Sequence, residues 1–441
     1  MSRPGSRCAK LNLMASHVLH YDLIDHTLDN GLRVIVNPDP TSPGVAVNLW
    51  YQVGSRDEAP RRTGFAHLFE HLMFQGTWTG VGVGEHLAAI QAAGGGANAT
   101  TSFDRTNYFE TVVPGALDLA LWLEAQRMQA LRVDQTNLDT QREVVKEEKR
   151  QRYDNQPYGD TFQLLTQLAF GDDHAYGHTP IGSMADLDAA DLSDVQAFYD
   201  RWYCPSNATL VLSGQISADE ALTRARHHFG DIPGGVRPTR PDVAAPQLDL
   251  RGQVHTIHRE VPRDTVHLVW RCPAQNSGDD IALDVAMGLL SGGQSARLHQ
   301  RLVRDLEVAE GVSASTLGLT AGTNLALISA RVRPESSPEA VREALLTAVS
   351  ELATAGPSQE ELDRADAQTE REWFEELATA EARADEINHW ASTTGDPGGI
   401  NTHLARVLAV TADDVTKAVA THLDPNDVFT LNYLTTDGAD R

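Results

Sequence analysis

Lysine is nearly missing from this chain: Lys10, Lys146, Lys149 and Lys417 are the whole supply among 441 residues. Even with arginine counted, 36 basic side chains face 61 acidic ones, and the formal charge is -25. A surface that neutralises nucleic-acid phosphates or anionic lipid needs clustered cations, so this balance argues against either partner. The preference for arginine over lysine is a compositional bias from which no mechanism follows. Cysteine is equally scarce. Cys8, Cys204 and Cys272 are odd in number, far apart and form no CxxC pair, which leaves neither a disulfide framework nor a cysteine metal site and suits the reducing cytoplasm. No run approaches the ~18 apolar residues needed to cross a bilayer, and the mean hydropathy of -0.32 fits that absence. Residues 1–20 contain no acid and no apolar signal core, so a disordered tail or an organellar transit segment is expected there, with Met14 as an alternative start.

A chain of 441 residues with 41% hydrophobic content exceeds one ordinary core, so two or more domains are expected. YDLIDHTL and LRVIVN flank Asn30-Gly31, and Asn-Gly supplies the positive φ of a hairpin turn. A third strand is read at 45–54 and a strand pair around 98–113. Helical spacing appears near 64–75, 84–93, 115–130 and 136–153. The stretch between Phe229 and Gln253 is rich in Pro and Gly, as interdomain linkers are. The division is therefore a tail at 1–20, a first domain at 21–230, a linker at 231–252 and a second domain at 253–441. An internal repeat supports it, because Asp194, Val195 and Pro205 match Asp414, Val415 and Pro425 at a constant offset of 220 residues.

Between Thr63, read as an N-cap, and Gly76, read as a helix stop, lies GFAHLFEHLMFQ. Phe65, Leu68, Leu72 and Met73 give it an apolar helical stripe. His67 and His71 stand four apart with Glu70 three beyond His67, so all three project from one helix face. Two imidazoles one turn apart suit zinc, and a carboxylate beside them can take a proton from a water that the metal makes more acidic. The order HxxEH reverses the commoner HExxH. A metal-free reading leaves three polar groups on a buried face, at about 1 to 3 kcal/mol each.

Catalytic zinc takes three protein ligands, so a third must come from elsewhere. In TQREVVKEEKRQRYD, Glu148 lies three and four residues from Val145 and Val144, beside the apolar face, whereas Glu147 is flanked by Glu143 and Gln151. Taken alone, this segment reads as a solvated charged helix with internal ion pairs. Its spacing from the histidines decides otherwise.

HLFEH, then 76 intervening residues, then Glu148 resembles the pattern of the pitrilysin and insulinase metallopeptidases, especially the small-subunit branch that includes the mitochondrial processing peptidase and its bacterial relatives. The likeness continues in GTWTG, NATTSFDRTNYFE, EVVKEEK, HAYGHTPIG and FYDRWYCPSNATLVLSG, and more weakly in QSARLHQRLVRDL. It implies an α+β fold of two homologous α/β domains, each a mostly antiparallel sheet packed on helices. It also implies one Zn2+ per chain held by His67, His71 and Glu148, with Glu70 as general base. Peptide substrates would lie along an edge strand at 98–104, touching Asn98 and Ala99, with backbone pairing supplying affinity. A turn or strand-end role is the plainer alternative for Asn98.

Two positions depart from the pattern. Gln141 stands where many relatives place a glutamate seven residues before the ligand. In the second half, relatives that complete the active site carry an Arg and a Tyr in an RGLAY-like segment, whereas this chain has EGVSA, with Glu310 and Ala314. Donors to a developing oxyanion are therefore expected from a homologous partner subunit without the metal motif. The expected activity is zinc-dependent hydrolysis of unfolded peptides or leader segments. Alternatives are a non-catalytic assembly subunit, which the intact HLFEH opposes, and maturation of a ribosomally made peptide natural product. His174 and His178 fall in a HAYGH stretch that is more often structural in such relatives.

Overall fold

The computed structural model of the chain describes residues 19–243, 246 and 248–436, so Cys8, Met14 and most of the expected tail lie outside the described residues. Its framework is two sheets. Strands β1 (Ile24–Thr27), β2 (Arg33–Pro38), β3 (Val45–Tyr51), β4 (Gly96–Thr101), β5 (Thr106–Val112) and β6 (Ala208–Gly214) form one in the order β1-β2-β6-β3-β5-β4. Strands β7 (Val254–Arg259), β8 (Thr265–Pro273), β9 (Ala309–Thr316), β10 (Thr323–Val332) and β11 (Phe429–Thr435) form the other in the order β7-β11-β8-β10-β9. The path β2-β6-β3-β5-β4 of the first sheet is repeated by β7-β11-β8-β10-β9, down to the single parallel pair, β2 with β6 and β7 with β11. Every other strand pairing among the described residues is antiparallel.

The 220-residue repeat lands on equivalent pieces. Helix Leu192–Trp202 opens with Asp191 as N-cap and Asp194 reaching back in a capping box; helix Ala412–His422 does the same with Thr411 and Asp414. Two otherwise unpaired N–H groups are satisfied in each case, which is why that short acidic signature recurs ahead of β6 and β11.

β3 is buried along its whole length. Its alternate residues serve two layers. Val45, Val47 and Leu49 join Phe65, Leu68 and Leu72 in the first core. On the other face Ala46, with Ile35 and Val211, packs on Ala384, Ile387, Trp390 and Ala391 of helix Ala380–Thr393. That helix follows residue 253, so the outer face of the first sheet is covered by the second half of the chain. The first sheet's strands end at Gly214 and the second sheet's begin at Val254, but this helical layer joins the two halves.

Several sequence expectations shift locally. The N-cap of helix Phe65–Leu72 is Gly64 at φ 94, not Thr63, whose hydroxyl instead donates to Asp186 at 2.6 Å. A side chain at residue 64 would bring its Cβ within 2.9 Å of the Ile181 carbonyl oxygen, so glycine is required twice over, by φ and by space. Gly76 does not stop the helix, which ends at Leu72 and tightens as Phe74 and Gln75 donate to the carbonyls of His71 and Leu72. The edge strand expected at 98–104 runs Gly96–Thr101, because Ser102 and Arg105 then close a turn, with Ser102 N donating to Arg105 O at 2.9 Å.

Candidate metal centre

Helix Phe65–Leu72 turns one face to the core and the other to helix Gln135–Lys149. Phe65, Leu68, Phe69 and Leu72 are buried, while His67, Glu70 and His71 lie on the half-exposed side. Its first turn is held by a residue the sequence did not single out. The buried carboxylate of Glu58 accepts from Gly64 N and Ala66 N, both at 2.8 Å, and so caps the helix from the preceding loop. His178 Nε2 lies 3.0 Å from the same carboxylate and 3.0 Å from the Ser55 carbonyl oxygen. Burial lowers the His178 pKa but the Glu58 contact outweighs it, so the net shift is upward. His178 thus braces the cap, and His174 stacks on Phe170 while its Nδ1 accepts from Tyr176 N at 3.1 Å.

Glu148 meets the two histidines across the helix pair. Its Oε2 is 3.2 Å from His71 Nε2 and 3.7 Å from His67 Nε2, and the two rings are 4.9 Å apart at 71°. Glu147, one residue earlier, points away to Gln151 and Arg150. Three donor atoms from His67, His71 and Glu148 lie within 4.8 Å of one another. A tetrahedral zinc at about 2.0–2.1 Å from each ligand spaces neighbouring donors roughly 3.4 Å apart. The observed separations bracket that spacing, so the residues present fit the ion.

The electrostatics suit the same ligand set. Burial and the neighbouring His71 push His67 down to about 4, against the pull of Glu148, so its imidazole is neutral and able to coordinate near pH 7. The hydrogen bond from His71 holds the Glu148 carboxyl below its ordinary range despite burial. Glu70, beside them, moves the other way: burial raises its pKa, while a 2.6 Å hydrogen bond from Thr101 Oγ1 to its Oε2 opposes the rise. A carboxylate more basic than usual is what proton abstraction needs.

Asn98 and Ala99 sit mid-way along β4, which among the described residues has β5 on one side only and so forms an edge of the sheet. Asn98 is exposed and Ala99 buried, with Asn98 Oδ1 accepting from Ala99 N at 2.9 Å. Gln141 is buried within helix Gln135–Lys149. Glu310 and Ala314 lie on β9, the corresponding edge of the second sheet, where Glu310 pairs with Arg263 at 2.9 Å.

A second polar cluster was not anticipated. His86, Glu110 and Glu124 also present donors within 4.8 Å of one another, all buried. Here Arg127 already supplies the cation: its Nε donates to Glu124 at 2.9 Å and its guanidinium lies 4.2 Å above the Tyr108 ring. Burial pushes Glu124 up to about 8 in spite of Arg127, and burial together with Arg127 pushes His86 down to about 3. A divalent ion would have to displace a stacked guanidinium, so the cluster reads as a closed ionic core. It underlies helix Phe65–Leu72, since Tyr108 donates to the Phe69 carbonyl and Phe74 packs on His86.

Residues 33–179 match the family model described as insulinase (peptidase family M16), and residues 189–369 match the one described as the peptidase M16 inactive domain. The zinc protease PqqE of Helicobacter pylori is 32% identical over 347 residues, spanning 77% of this chain and 76% of that protein. An uncharacterised zinc protease of Mycobacterium bovis is 29% identical over 398 residues, 90% of each chain. Among solved structures, a protease from Helicobacter pylori superposes with a TM-score of 0.88 at 26% identity, covering 94% of this chain and 100% of that one.

Proposed function

The chain belongs to the insulinase family of peptidases, peptidase family M16, and on that premise we propose that it is a zinc-dependent endopeptidase. Its substrates are unfolded peptides or leader segments, and it works as the catalytic subunit of a heterodimer. The observation that carries this reading is the convergence of His67, His71 and Glu148 from two helices, with Glu70 alongside.

His67, His71 and Glu148 would hold one zinc ion, which when bound supplies Lewis acidity to a peptide carbonyl and makes a nearby water more acidic. Glu70 takes the proton that the attacking water gives up as its oxygen bonds to the carbonyl carbon. It then returns that proton to the amine nitrogen as the C–N bond breaks, so each turnover consumes one water and leaves Glu70 ionised. The open edge of β4 receives the peptide as an added strand, next to Asn98 and Ala99. Backbone pairing of this kind recognises extension rather than sequence, which favours unfolded segments over folded domains.

Glu310 and Ala314 explain the partner. Neither side chain can donate to an oxyanion, and the carboxylate of Glu310 would repel one; a homologous subunit without the metal motif would contribute Arg and Tyr instead. The two described cysteines, Cys204 and Cys272, are buried free thiols, which suits a cytoplasmic setting.

The test is cleavage of a long unstructured peptide by the zinc-loaded chain, alone and with a co-expressed homologous subunit. Cleavage that depends on zinc and on the second subunit is expected. Full activity of the chain alone would remove the partner from the proposal, and inactivity of both preparations with zinc bound would remove the peptidase.

A further inference from the structure

β4 does more than offer an edge. Its last residue, Thr101, donates its hydroxyl to Glu70 Oε2 at 2.6 Å. The strand that would hold the peptide and the side chain that would move the proton are therefore joined by one hydrogen bond. We infer that Thr101 is a positioning residue for Glu70, fixing which of its two carboxylate oxygens faces the reacting water; the inference rests on the peptidase reading above.

Thr101 is well placed to be a fixed donor. Its backbone pairs with Thr106, the first residue of β5. Just beyond it the chain turns back through Ser102–Arg105, and Arg105 Nη1 donates to the Thr100 carbonyl at 3.1 Å and to Asn107 Oδ1 at 3.3 Å. The strand end is thus tied down from below. Threonine is β-branched, with few χ1 choices, so a fixed backbone gives a fixed hydroxyl. A hydroxyl has one proton to donate, and that of Thr101 is directed at Glu70 Oε2 at 2.6 Å.

The consequence is geometric. With Oε2 engaged by Thr101, the oxygen left to accept the proton is Oε1. Without that bond the carboxylate can rotate, and the same group serves as base for only part of the time. Substrate affinity along β4 would be untouched, because the Thr101 hydroxyl acts on Glu70 and the strand pairs through its backbone. A bond of this class corresponds to about 10- to 100-fold in rate.

The experiment compares wild type, Thr101→Val and Thr101→Ser in the zinc-loaded heterodimer, recording zinc content, KM and kcat on the unstructured peptide. Crystal structures of the zinc-free chains give the Glu70 orientation independently of turnover. Valine keeps the shape and removes the donor; serine keeps the donor. The expected result is full zinc content and unchanged KM in Thr101→Val, kcat lower by about 10- to 100-fold, recovery to within a few-fold in Thr101→Ser, and a displaced Glu70 carboxylate in the valine crystal. An unchanged kcat, an unmoved Glu70, a loss borne by KM or zinc content, or a serine variant no better than valine would each overturn the inference. A wild-type enzyme that is inactive with zinc and partner fails the peptidase reading instead, and that outcome is distinct because it precedes any comparison of variants.

Discussion

Arg152 Nη1 stands 2.6 Å from Glu148 Oε1, one helical turn beyond the acid whose other oxygen faces two imidazoles. The helix carrying Glu148 widens into a π-helical turn at Arg150–Asp154, which includes Arg152. Partners of metal ligands commonly change affinity by about 10- to 100-fold when removed. Arg152, however, is 73% exposed, so water and salt screen the pair. Arg152→Gln is expected to weaken zinc binding by less than about tenfold, with the difference shrinking at high salt. Competition titration at two ionic strengths checks this; a salt-independent hundredfold loss would show that Arg152 orients the carboxylate.

Glu148 itself should matter far more. Zinc that binds only the folded chain stabilises it by about 2.7 kcal/mol when free zinc is 100 times the dissociation constant. Wild type should therefore lose urea resistance on chelation, and Glu148→Ala should show nearly the same midpoint with zinc or chelator. A variant that still gains the full increment from zinc would place the ion elsewhere.

Glu70→Gln separates chemistry from binding. The amide keeps an oxygen to accept the Thr101 bond but cannot take a proton. Turnover should fall by about 10²- to 10⁴-fold while metal analysis still finds one zinc per chain. Turnover within a few-fold of wild type would mean that another group is the base.

The metal-motif helix and the repeat were legible in the sequence because their causes are local. The 3.6-residue spacing of Phe65, Leu68 and Leu72 sets the helix and the face His67, Glu70 and His71 share, and Asp194 and Asp414 recur because capping boxes are written within four residues. What was not legible depends on contacts between distant segments. Glu58 caps the helix that Thr63 was expected to cap, since a loop carboxylate reaches the open N–H groups once Gly64 adopts its positive φ. The apolar face of helix Ala380–Thr393 says that it packs, not that it packs on the other half's sheet. The ionic core of His86, Glu110, Glu124 and Arg127 gathers residues from two helices and a strand, and no spacing rule joins them.

That ionic core predicts a pH effect on stability. Glu110 is raised by burial and Glu124 is raised to about 8 from an ordinary 4.5, so the folded pair retains a proton that the unfolded chain has lost. A group whose folded pKa is raised stabilises fully below its unfolded pKa, and the contribution disappears as pH rises through the folded value. His86 works the other way below about pH 6.5, because its folded pKa of about 3 leaves it neutral where the unfolded ring is protonated. The core's contribution to stability of the zinc-free chain should therefore fall mainly between about pH 6.5 and 8, by up to about 1.4 kcal/mol per unit for one proton. Glu110→Gln, which keeps a polar side chain beside His86 and removes one titrating carboxyl, should flatten that slope in urea unfolding. An unchanged slope would mean that the proton resides elsewhere.

The last prediction concerns the helix that bridges the halves. Asp385 Oδ1 accepts from Asn48 Nδ2 at 3.0 Å, Trp50 Nε1 at 3.1 Å and Asn107 Nδ2 at 2.8 Å, three donors on the outer face of the first sheet. Asp385→Leu leaves all three without that acceptor, and one such donor alone costs about 1 to 3 kcal/mol. A loss of about 2 to 4 kcal/mol in urea unfolding is expected, against less than about 0.5 kcal/mol for an indifferent surface change. Asn107 also holds Thr100 and Arg105 through its Oδ1, so the damage reaches the end of β4. Asp385→Leu should therefore raise KM for the peptide as well as lower stability, whereas a helix that served only as a cover would lower stability and leave KM alone.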